Sequence, residues 1–227
     1  MKRSEKPAQA PKKKVLIVDD HPIVRQGLSM IINQEPDLMV CGEADDAHQA
    51  LEMILKLKPD IALIDLSLKD TSGLDLIKDI RIRHRALPCL VLSMHDESIY
   101  AERALRAGAR GYVTKQQAVA SIATAIRRVL SGEIHLSDHM VSRILHKVSD
   151  GDDRKSALSA VDRLSDRELE VMRLIGQGFE TREIADKLRL SAKTIETYKA
   201  HLKEKLSLAS ATELSRFAIE WARSERT

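Results

Sequence analysis

Side chains able to take part in phosphoryl transfer follow four short apolar runs of the sequence, each at the point where its run ends. In chain order they are Asp19 and Asp20, then Asp65, Ser93 and Lys115. Runs of this kind are typical of strands buried on both faces, and the carboxyl ends of parallel strands meet at the edge where open α/β sheets bind ligands. The sequence therefore predicts that carboxylates, a hydroxyl and an ammonium meet at one edge of a sheet.

The three acids predict a magnesium site. Carboxylates held close together repel one another and raise one another's pKa, and a hard divalent cation such as Mg²⁺ relieves that repulsion. We therefore expect Asp19, Asp20 and Asp65 to hold Mg²⁺ and Asp65 to be the nucleophile that accepts a phosphoryl group. Lys115 would neutralise the phosphoryl oxygens, and Ser93 would donate its hydroxyl to them.

Each of these residues also has an ordinary alternative role. An acid or a serine after a strand often caps the next helix, and a lysine in a loop is often merely solvated. The sequence favours a role in phosphoryl transfer, because all of these residues stand at the ends of predicted strands of one α/β sheet and such a coincidence is improbable.

Alternating extended and helical patterns predict five βα units between Lys13 and Gly132. The strands are expected at 14–18, 38–44, 61–64, 89–93 and 111–114, and the helices at 22–33, 47–57, 74–84, 97–107 and 118–131. Five such units imply right-handed crossovers and helices on both faces of the sheet. The predicted fold class is an α/β doubly wound five-stranded parallel sheet followed by a small all-α domain.

Composition and punctuation divide the chain into four segments. We expect a disordered basic tail at 1–12, the sheet domain at 13–132, an extra helix and linker at 133–162 and a helical domain at 163–227. The extra helix is predicted at 137–148, and the helices of the last domain at 166–176, 181–188, 192–206 and 211–223. Ser165 to Glu168 and Ser210 to Glu213 match the capping-box pattern and mark two helix starts.

The composition limits the possible classes of function. The formal net charge is only +3, and the first fourteen residues hold more than all of this excess, which leaves the rest of the chain slightly acidic. A case for nucleic-acid binding must therefore come from a motif. Cys41 and Cys89 both fall in predicted strands, which favours buried thiols over a disulfide. Free thiols in turn favour a cytoplasmic location. No stretch approaches the ~20 apolar residues of a membrane span, so we expect no membrane partner.

The two short helices at 181–188 and 192–206 are joined by a three-residue turn, as in a helix-turn-helix. In the second, Ile195, Leu202 and Leu206 form an inner face. Lysines on the opposite side suit phosphate contacts, small residues suit thymine methyl groups, and a glutamate suits cytosine. The candidate DNA contacts are Thr181, Lys193, Thr194, Glu196, Thr197, Lys199, Ala200 and Lys203. A generic helical hairpin with solvated charges would show the same spacing, so spacing alone leaves both interpretations open.

The first domain resembles the receiver domain of bacterial two-component response regulators, over about 13–131. The acidic pair, the phosphoacceptor Asp65, the hydroxyl position and the lysine all match. The resemblance implies a flavodoxin-like fold, Mg²⁺ dependence, phosphotransfer from a sensor histidine kinase, slow self-dephosphorylation and a switch in which Ser93 and Tyr112 change position. One departure is Lys69, which stands where many relatives have proline.

The helical domain resembles the LuxR-type helix-turn-helix without a gap from Leu164 to about Leu206. The matching residues are Leu164, Ser165, Arg167, Glu168, Glu170, Val171, Gly178, Ile184, Ala185, Leu188, Ser191, Lys193, Thr194, Ile195, Lys205 and Leu206. Tyr198 departs from the histidine of many relatives. Together the two halves resemble the NarL/FixJ-family response regulators, which implies that the last helix mediates dimerisation on DNA. The expected protein is a non-enzymatic transcription regulator, a homodimer when phosphorylated, that binds paired DNA half-sites.

Two other classes share part of this pattern. A hydrolase with an aspartyl-phosphate intermediate would use the same nucleophile, but Ser67 stands where such an enzyme would place a second acid. An interaction module that binds metal without phosphorylation would need only the acidic cluster.

Overall fold

The computed structural model describes residues 11–68, 72–94, 97–149, 160–161, 163–188 and 190–224. It divides into two compact units, one ending at Met140 and the other beginning at Val141. Most of the predicted basic tail, part of the predicted linker and the departure at Lys69 lie outside the described residues. Within the described residues, no helix is both long enough and apolar enough to cross a membrane.

The first unit is built on five parallel strands in the order β2-β1-β3-β4-β5. They are β1 (Lys13–Val18), β2 (Leu38–Ala44), β3 (Ile61–Ile64), β4 (Cys89–Ser93) and β5 (Gly111–Thr114). Every residue of β3 and β4 is buried, as expected of strands covered on both faces. The predicted doubly wound fold class is confirmed, with the order reversing between β1 and β3.

The sheet register brings the strand ends level with one another. Val18, the last residue of β1, is paired with Ile64, the last residue of β3, and Ser93 at the end of β4 is paired with Thr114 at the end of β5. The residues that follow these strands therefore lie at the same edge of the sheet. The ladder continues beyond the strands, because Asp65 N–H donates to Val18 O at 2.9 Å and Lys115 N–H donates to Ser93 O at 2.8 Å. The backbone itself therefore places these side chains.

Helices cover both faces of this sheet. They are α1 (Pro22–Gln34), α2 (Ala47–Leu57), α3 (Gly73–Arg83), α4 (Glu97–Ala107) and α5 (Ala118–Leu130), and α6 (Asp138–Ser149) follows them. One face of the core joins Leu28 and Ile32 of α1 with Ile122 and Ile126 of α5 over the inner strands. Gly108 and Gly132, which follow α4 and α5, have φ of 120° and 90°, positive values that favour glycine at the end of a helix.

The chain after α5 contains a feature that the sequence did not indicate. His135 lies beside Gly111 in an isolated parallel bridge, and its carbonyl accepts from Tyr112 N–H at 2.9 Å. A Cβ atom at Gly111 would lie 2.7 Å from that carbonyl, so only glycine admits the approach. The segment therefore covers the outer edge of β5 before α6 begins.

The second unit is helical. It contains most of α6, followed by α7 (Asp166–Gly176), α8 (Thr181–Leu188), α9 (Ala192–Lys205) and α10 (Ala211–Ser224). The capping box at Ser165 and Glu168 is confirmed, with both reciprocal bonds present. The second predicted box is only half formed, because Glu213 accepts from Ala209 N–H rather than from Ser210 N–H. Helices α7 and α10 pack backbone to backbone where Gly176 meets Ala218.

Candidate functional site: a carboxylate pocket and a helix-turn-helix

The structure brings Asp19, Asp65 and Lys115 together at the carboxyl edge of the sheet. Lys115 Nζ lies 2.7 Å from Asp65 Oδ2 and 2.6 Å from Asp19 Oδ2. The Asp19 and Asp65 residues are 1% and 3% exposed, and the lysine side chain 8%. One ammonium is therefore shared by two buried carboxylates from different strand ends.

Asp20 and His21 complete a set of four residues whose ligand atoms could surround one ion. One such atom from each of Asp19, Asp20, His21 and Asp65 lies within 4.8 Å of the others. The Asp19 carboxylate accepts from His21 N–H at 2.8 Å, which fixes the turn into α1. Sequence reasoning missed His21, although its position directly after two predicted ligands was a usable signal.

The residues directly after Asp65 and those at the start of α3 are hydrogen bonded close to it. Ser67 N–H donates to Asp65 Oδ1 at 3.3 Å, and Gly73 N–H donates to Leu66 O at 2.9 Å where α3 begins. A Cβ atom at Gly73 would lie 2.0 Å from the Asp65 carbonyl oxygen. The start of α3 therefore depends on the absence of a side chain at this position.

Ser93 and Tyr112 lie on the two strands beyond β3. Ser93 ends β4 and is 0% exposed, and Tyr112 in β5 is 2% exposed. Because β4 is hydrogen bonded to both β3 and β5, the two residues share the sheet region that carries Asp65 and Lys115. Both residues are therefore positioned by the same ladder that positions the pocket.

The charges of the pocket are strongly coupled. Burial raises the pKa of the Asp65 carboxyl and Asp19 raises it further, while Lys115 opposes both effects. Burial by itself lowers the pKa of Lys115, but Asp65 and Asp19 together raise it above its ordinary value. The lysine therefore stays protonated beside carboxylates that do not have a cation each.

The donor set fits a hard divalent cation. The pocket offers carboxylate oxygens from Asp19, Asp20 and Asp65, which are the oxygen ligands that Mg²⁺ favours. Asp19 and Asp65 share the one ammonium of Lys115, and an added cation would supply the positive charge that this pair of carboxylates lacks. The residues present therefore satisfy the requirements of a magnesium site.

In the second unit, Ile195 and Leu202 of α9 are fully buried, and the opposite side of the helix faces outward. Thr181 in α8 donates its hydroxyl to Glu196 Oε1 at 2.8 Å, and Lys199 Nζ donates to the Thr181 hydroxyl. Three of the candidate DNA contacts are thus joined in one network across the two helices. The hydrogen bond from Thr181 lowers the pKa of Glu196, and Lys199 lowers it further.

The other candidates are distributed along the same helix. Lys193, Thr197 and Ala200 are exposed, and Thr194 and Lys203 are half-buried. Thr194 N–H donates to Ser191 Oγ at 3.0 Å, so Ser191 caps the start of α9. The helix therefore presents an ammonium, a hydroxyl and a methyl group on its outer side.

Comparison with known proteins identifies both halves of the chain. Residues 15–127 match the family of the response regulator receiver domain, and residues 162–218 match the bacterial regulatory proteins of the luxR family. The oxygen regulatory protein NreC of Staphylococcus carnosus is 35% identical over 210 residues, which is 91% of this chain and 97% of that protein.

Solved structures of response regulators are similar over most of the chain. RcsB of Salmonella typhimurium is 31% identical with a TM-score of 0.61, over 92% of this chain and 98% of that one. RcsB of Salmonella enterica serovar Typhimurium, bound to promoter rprA in the presence of the phosphomimetic BeF3-, is 32% identical with a TM-score of 0.58, over 92% and 98% of the two chains. The chain belongs to the NarL/FixJ-type two-component response regulators, with a receiver domain followed by a LuxR-type DNA-binding domain.

Proposed function

We propose that a sensor histidine kinase transfers a phosphoryl group to Asp65 and that this transfer promotes dimerisation and binding to paired DNA half-sites. The observation that carries the proposal is the buried Asp65 carboxylate beside Asp19 and Lys115. A carboxylate that was only structural would be satisfied by one partner of opposite charge. Here Asp19 and Asp65 share the one ammonium of Lys115. A bound cation would neutralise the remaining negative charge and that of an incoming phosphoryl group.

The residues divide the transfer among them. An Asp65 carboxylate oxygen attacks the phosphorus, an O–P bond forms, and the N–P bond of the kinase phosphohistidine breaks with its electron pair returning to the imidazole. Asp19, Asp20 and Asp65 would hold Mg²⁺, which when bound supplies positive charge to the phosphoryl oxygens. Lys115 supplies a second positive charge, and Ser93 donates a hydroxyl to the phosphoryl oxygens. Tyr112, buried on the next strand, transmits the change to the surface near α4.

The helix-turn-helix is the proposed DNA-binding element, with α9 in the major groove. Two observations support it: the exposed Lys193, Thr197 and Ala200 share one side of α9, and structures of RcsB, a relative at 31% identity, include a complex with DNA. Thr194 and Lys203 would contact the adjoining backbone, and Thr181, Glu196 and Lys199 would act as one unit. The proposed domain limits are 13–132 for the receiver and 163–227 for the DNA-binding domain, in a protein that works in the cytoplasm.

Substitution of Asp65→Asn tests the proposal. The full chain would be incubated with acetyl phosphate and Mg²⁺, and phosphorylation followed by mass spectrometry. Footprinting of the DNA that flanks its own gene would follow, with and without acetyl phosphate. We expect Asp65→Asn to abolish the mass increase and the enhanced footprint, and Asp75→Asn, an exposed acid on α3, to retain both. Undiminished labelling of Asp65→Asn would remove Asp65 from its role.

A turnover assay on phosphomonoesters and a binding assay with beryllium fluoride separate the other two classes. Rapid release of phosphate with repeated turnover of a phosphomonoester would indicate a hydrolase. A metal-binding interaction module would take up neither acetyl phosphate nor beryllium fluoride.

A further inference from the structure

We infer that His21 is a ligand of the metal in the carboxylate pocket when that metal is a transition-series divalent ion, and that it sets which cations the pocket prefers. The inference rests on the proposed function, because it concerns the same pocket. It adds a nitrogen donor to a site that sequence reasoning predicted to be made of oxygen alone.

The position of His21 is fixed by its backbone. Its N–H donates to Asp19 Oδ1 at 2.8 Å, and Pro22 follows at the first turn of α1, where its ring restricts the backbone. The Asp19 carbonyl in turn accepts from Arg25 Nη1 at 2.6 Å. The turn that carries Asp19, Asp20 and His21 is therefore held at both ends, and the imidazole is delivered to the rim of the pocket.

The distances from the His21 ring nitrogen to the neighbouring carboxylate oxygens are close to those between two ligands of one metal ion. His21 Nδ1 is 2.6 Å from Asp20 Oδ1 and 3.3 Å from Asp19 Oδ1. Ligands at roughly 2.1 Å from one ion stand about 3 Å apart when adjacent and about 4 Å apart when opposite. The spread of 4.8 Å across the four residues is close to those values, so a small contraction would seat all four on one ion.

The contact of 2.6 Å places His21 Nδ1 beside Asp20 Oδ1 at the rim of the pocket. Both atoms belong to groups that bind divalent metals, so an ion seated there would take one ligand from each residue. The His21 side chain is 53% exposed, so the ring is free to adjust without disturbing the core. The pocket therefore offers a nitrogen and an oxygen ligand from adjacent residues of one turn.

The nature of the donor determines which metals gain affinity from the His21 nitrogen. Mg²⁺ prefers oxygen and keeps its waters, whereas affinity for imidazole rises along the series from Mn²⁺ to Co²⁺ and Ni²⁺. His21 should therefore add little for Mg²⁺ and progressively more for the later ions. The alternative is a surface histidine that only pairs with Asp20. It predicts no nitrogen ligand on the metal, and substitution of His21 would then change the affinities for Mg²⁺ and Co²⁺ equally.

Electron spin-echo spectroscopy of bound Mn²⁺ tests the inference on the full chain. A nitrogen ligand produces a ¹⁴N modulation, which is replaced when the protein is made with ¹⁵N-histidine. Isothermal titration with Mg²⁺ and Co²⁺ would accompany it. The variants are His21→Asn, His21→Gln and, as a matched control, His48→Asn, which changes an exposed histidine on α2.

We expect ¹⁴N modulation in the wild-type protein and in His48→Asn, and none in either His21 variant that still binds Mn²⁺. The His21 variants should lose about tenfold or more in Co²⁺ affinity and within about twofold in Mg²⁺ affinity. Modulation that persists without His21, or oxygen coordination alone in the wild-type protein, would overturn the inference. Labelling of Asp65 with Mg²⁺ alongside that result would leave the proposed function standing, whereas failure of both would remove the metal site itself.

Discussion

Each unit of the protein buries a carboxylate beside a lysine, and the pKa values of the two carboxylates are shifted in opposite directions. Asp65 and Glu168 are each 3% exposed. Lys115 Nζ lies 2.7 Å from Asp65 Oδ2, and Lys205 Nζ lies 2.7 Å from Glu168 Oε2. The pKa of Asp65 is nevertheless raised by burial, while the pKa of Glu168 is lowered. Burial and one lysine therefore do not determine the outcome.

The difference lies in the remaining partners. Burial by itself raises the pKa of Glu168, but the hydrogen bonds from Lys205 and Ser165 outweigh it. The bond from Ser165 N–H is short, at 2.6 Å, whereas Asp65 receives Ser67 N–H at 3.3 Å and must share its lysine with Asp19. The fold therefore supplies Glu168 with its donors, whereas it leaves Asp65 with capacity for the cation and the phosphoryl group that we propose for it.

The largest effect should follow from Lys115→Ala. Removal of one partner from a buried ion pair leaves charge without compensation and costs about 3 kcal/mol or more. We expect the free energy of unfolding in chelator to fall by about that amount, and Mg²⁺ to restore more of it than it adds to the wild-type protein. Urea unfolding monitored by circular dichroism measures both. Lys13→Ala, which removes an exposed partner of Asp60, should change stability within about 1 kcal/mol. Wild-type stability of Lys115→Ala in chelator would show that the pocket carboxylates need no cation.

Gly73→Ala should come next, because it acts on the backbone of Asp65 rather than on its charge. The new Cβ would lie 2.0 Å from the Asp65 carbonyl oxygen, so α3 or the loop must move. We expect a loss of about 2 kcal/mol in unfolding free energy and greatly slowed labelling by acetyl phosphate. Gly27→Ala in α1, where a Cβ meets nothing within 4 Å, should instead stabilise by up to about 1 kcal/mol and label normally. Equal behaviour of the two variants would disprove the close-approach argument.

Glu168→Gln tests the structural carboxylate through pH. Because the folded-state pKa of Glu168 lies below its ordinary 4.5, its ionised form stabilises the fold fully above that pH. That stabilisation is lost as the pH falls through the folded-state pKa. We expect the variant to be about 1 kcal/mol less stable at neutral pH and to show a shallower decline in acid, measured through Trp221 fluorescence in α10. Glu204→Gln, exposed on α9, should keep the wild-type slope. A parallel acid decline in Glu168→Gln and the wild-type protein would mean that another group carries the pH dependence.

Much of the first unit could be predicted from the sequence, for a physical reason. Strand ends are marked by the change from apolar to polar residues, and a parallel sheet brings all such ends to one edge. Asp65 and Lys115 meet for that reason alone, and the element bounds agree with the predicted ones to within about one residue. The presence of His21 in the acidic cluster escaped prediction because it depends on the direction of a side chain in a turn, which no periodicity encodes.

Contacts between parts of the chain that no sequence pattern pairs were also beyond prediction. The pairing of His135 with the edge of β5 needs a close backbone approach at Gly111, and a glycine at the start of a strand does not by itself indicate which segment approaches it. The network of Thr181, Glu196 and Lys199 was likewise invisible, although all three are candidate DNA contacts. The helical spacing identified the outer side of α9, whereas the side-chain bonds decide which charges on it are available.

The smallest expected effect is on the salt dependence of DNA binding, and it should differ between two lysines of α9. Lys193 is exposed, whereas the Lys199 side chain is 24% exposed and is bonded to Thr181 with Glu196 at 3.5 Å. Lys193→Ala should weaken binding to a promoter fragment uniformly and reduce the salt slope by about one. Lys199→Ala should change the slope less, because Glu196 already compensates its charge. Glu196→Gln should free Lys199 and steepen the slope, measured by fluorescence anisotropy across salt concentrations. Equal slopes for Lys193→Ala and Lys199→Ala would mean that the network opens on DNA and that both lysines contact phosphate.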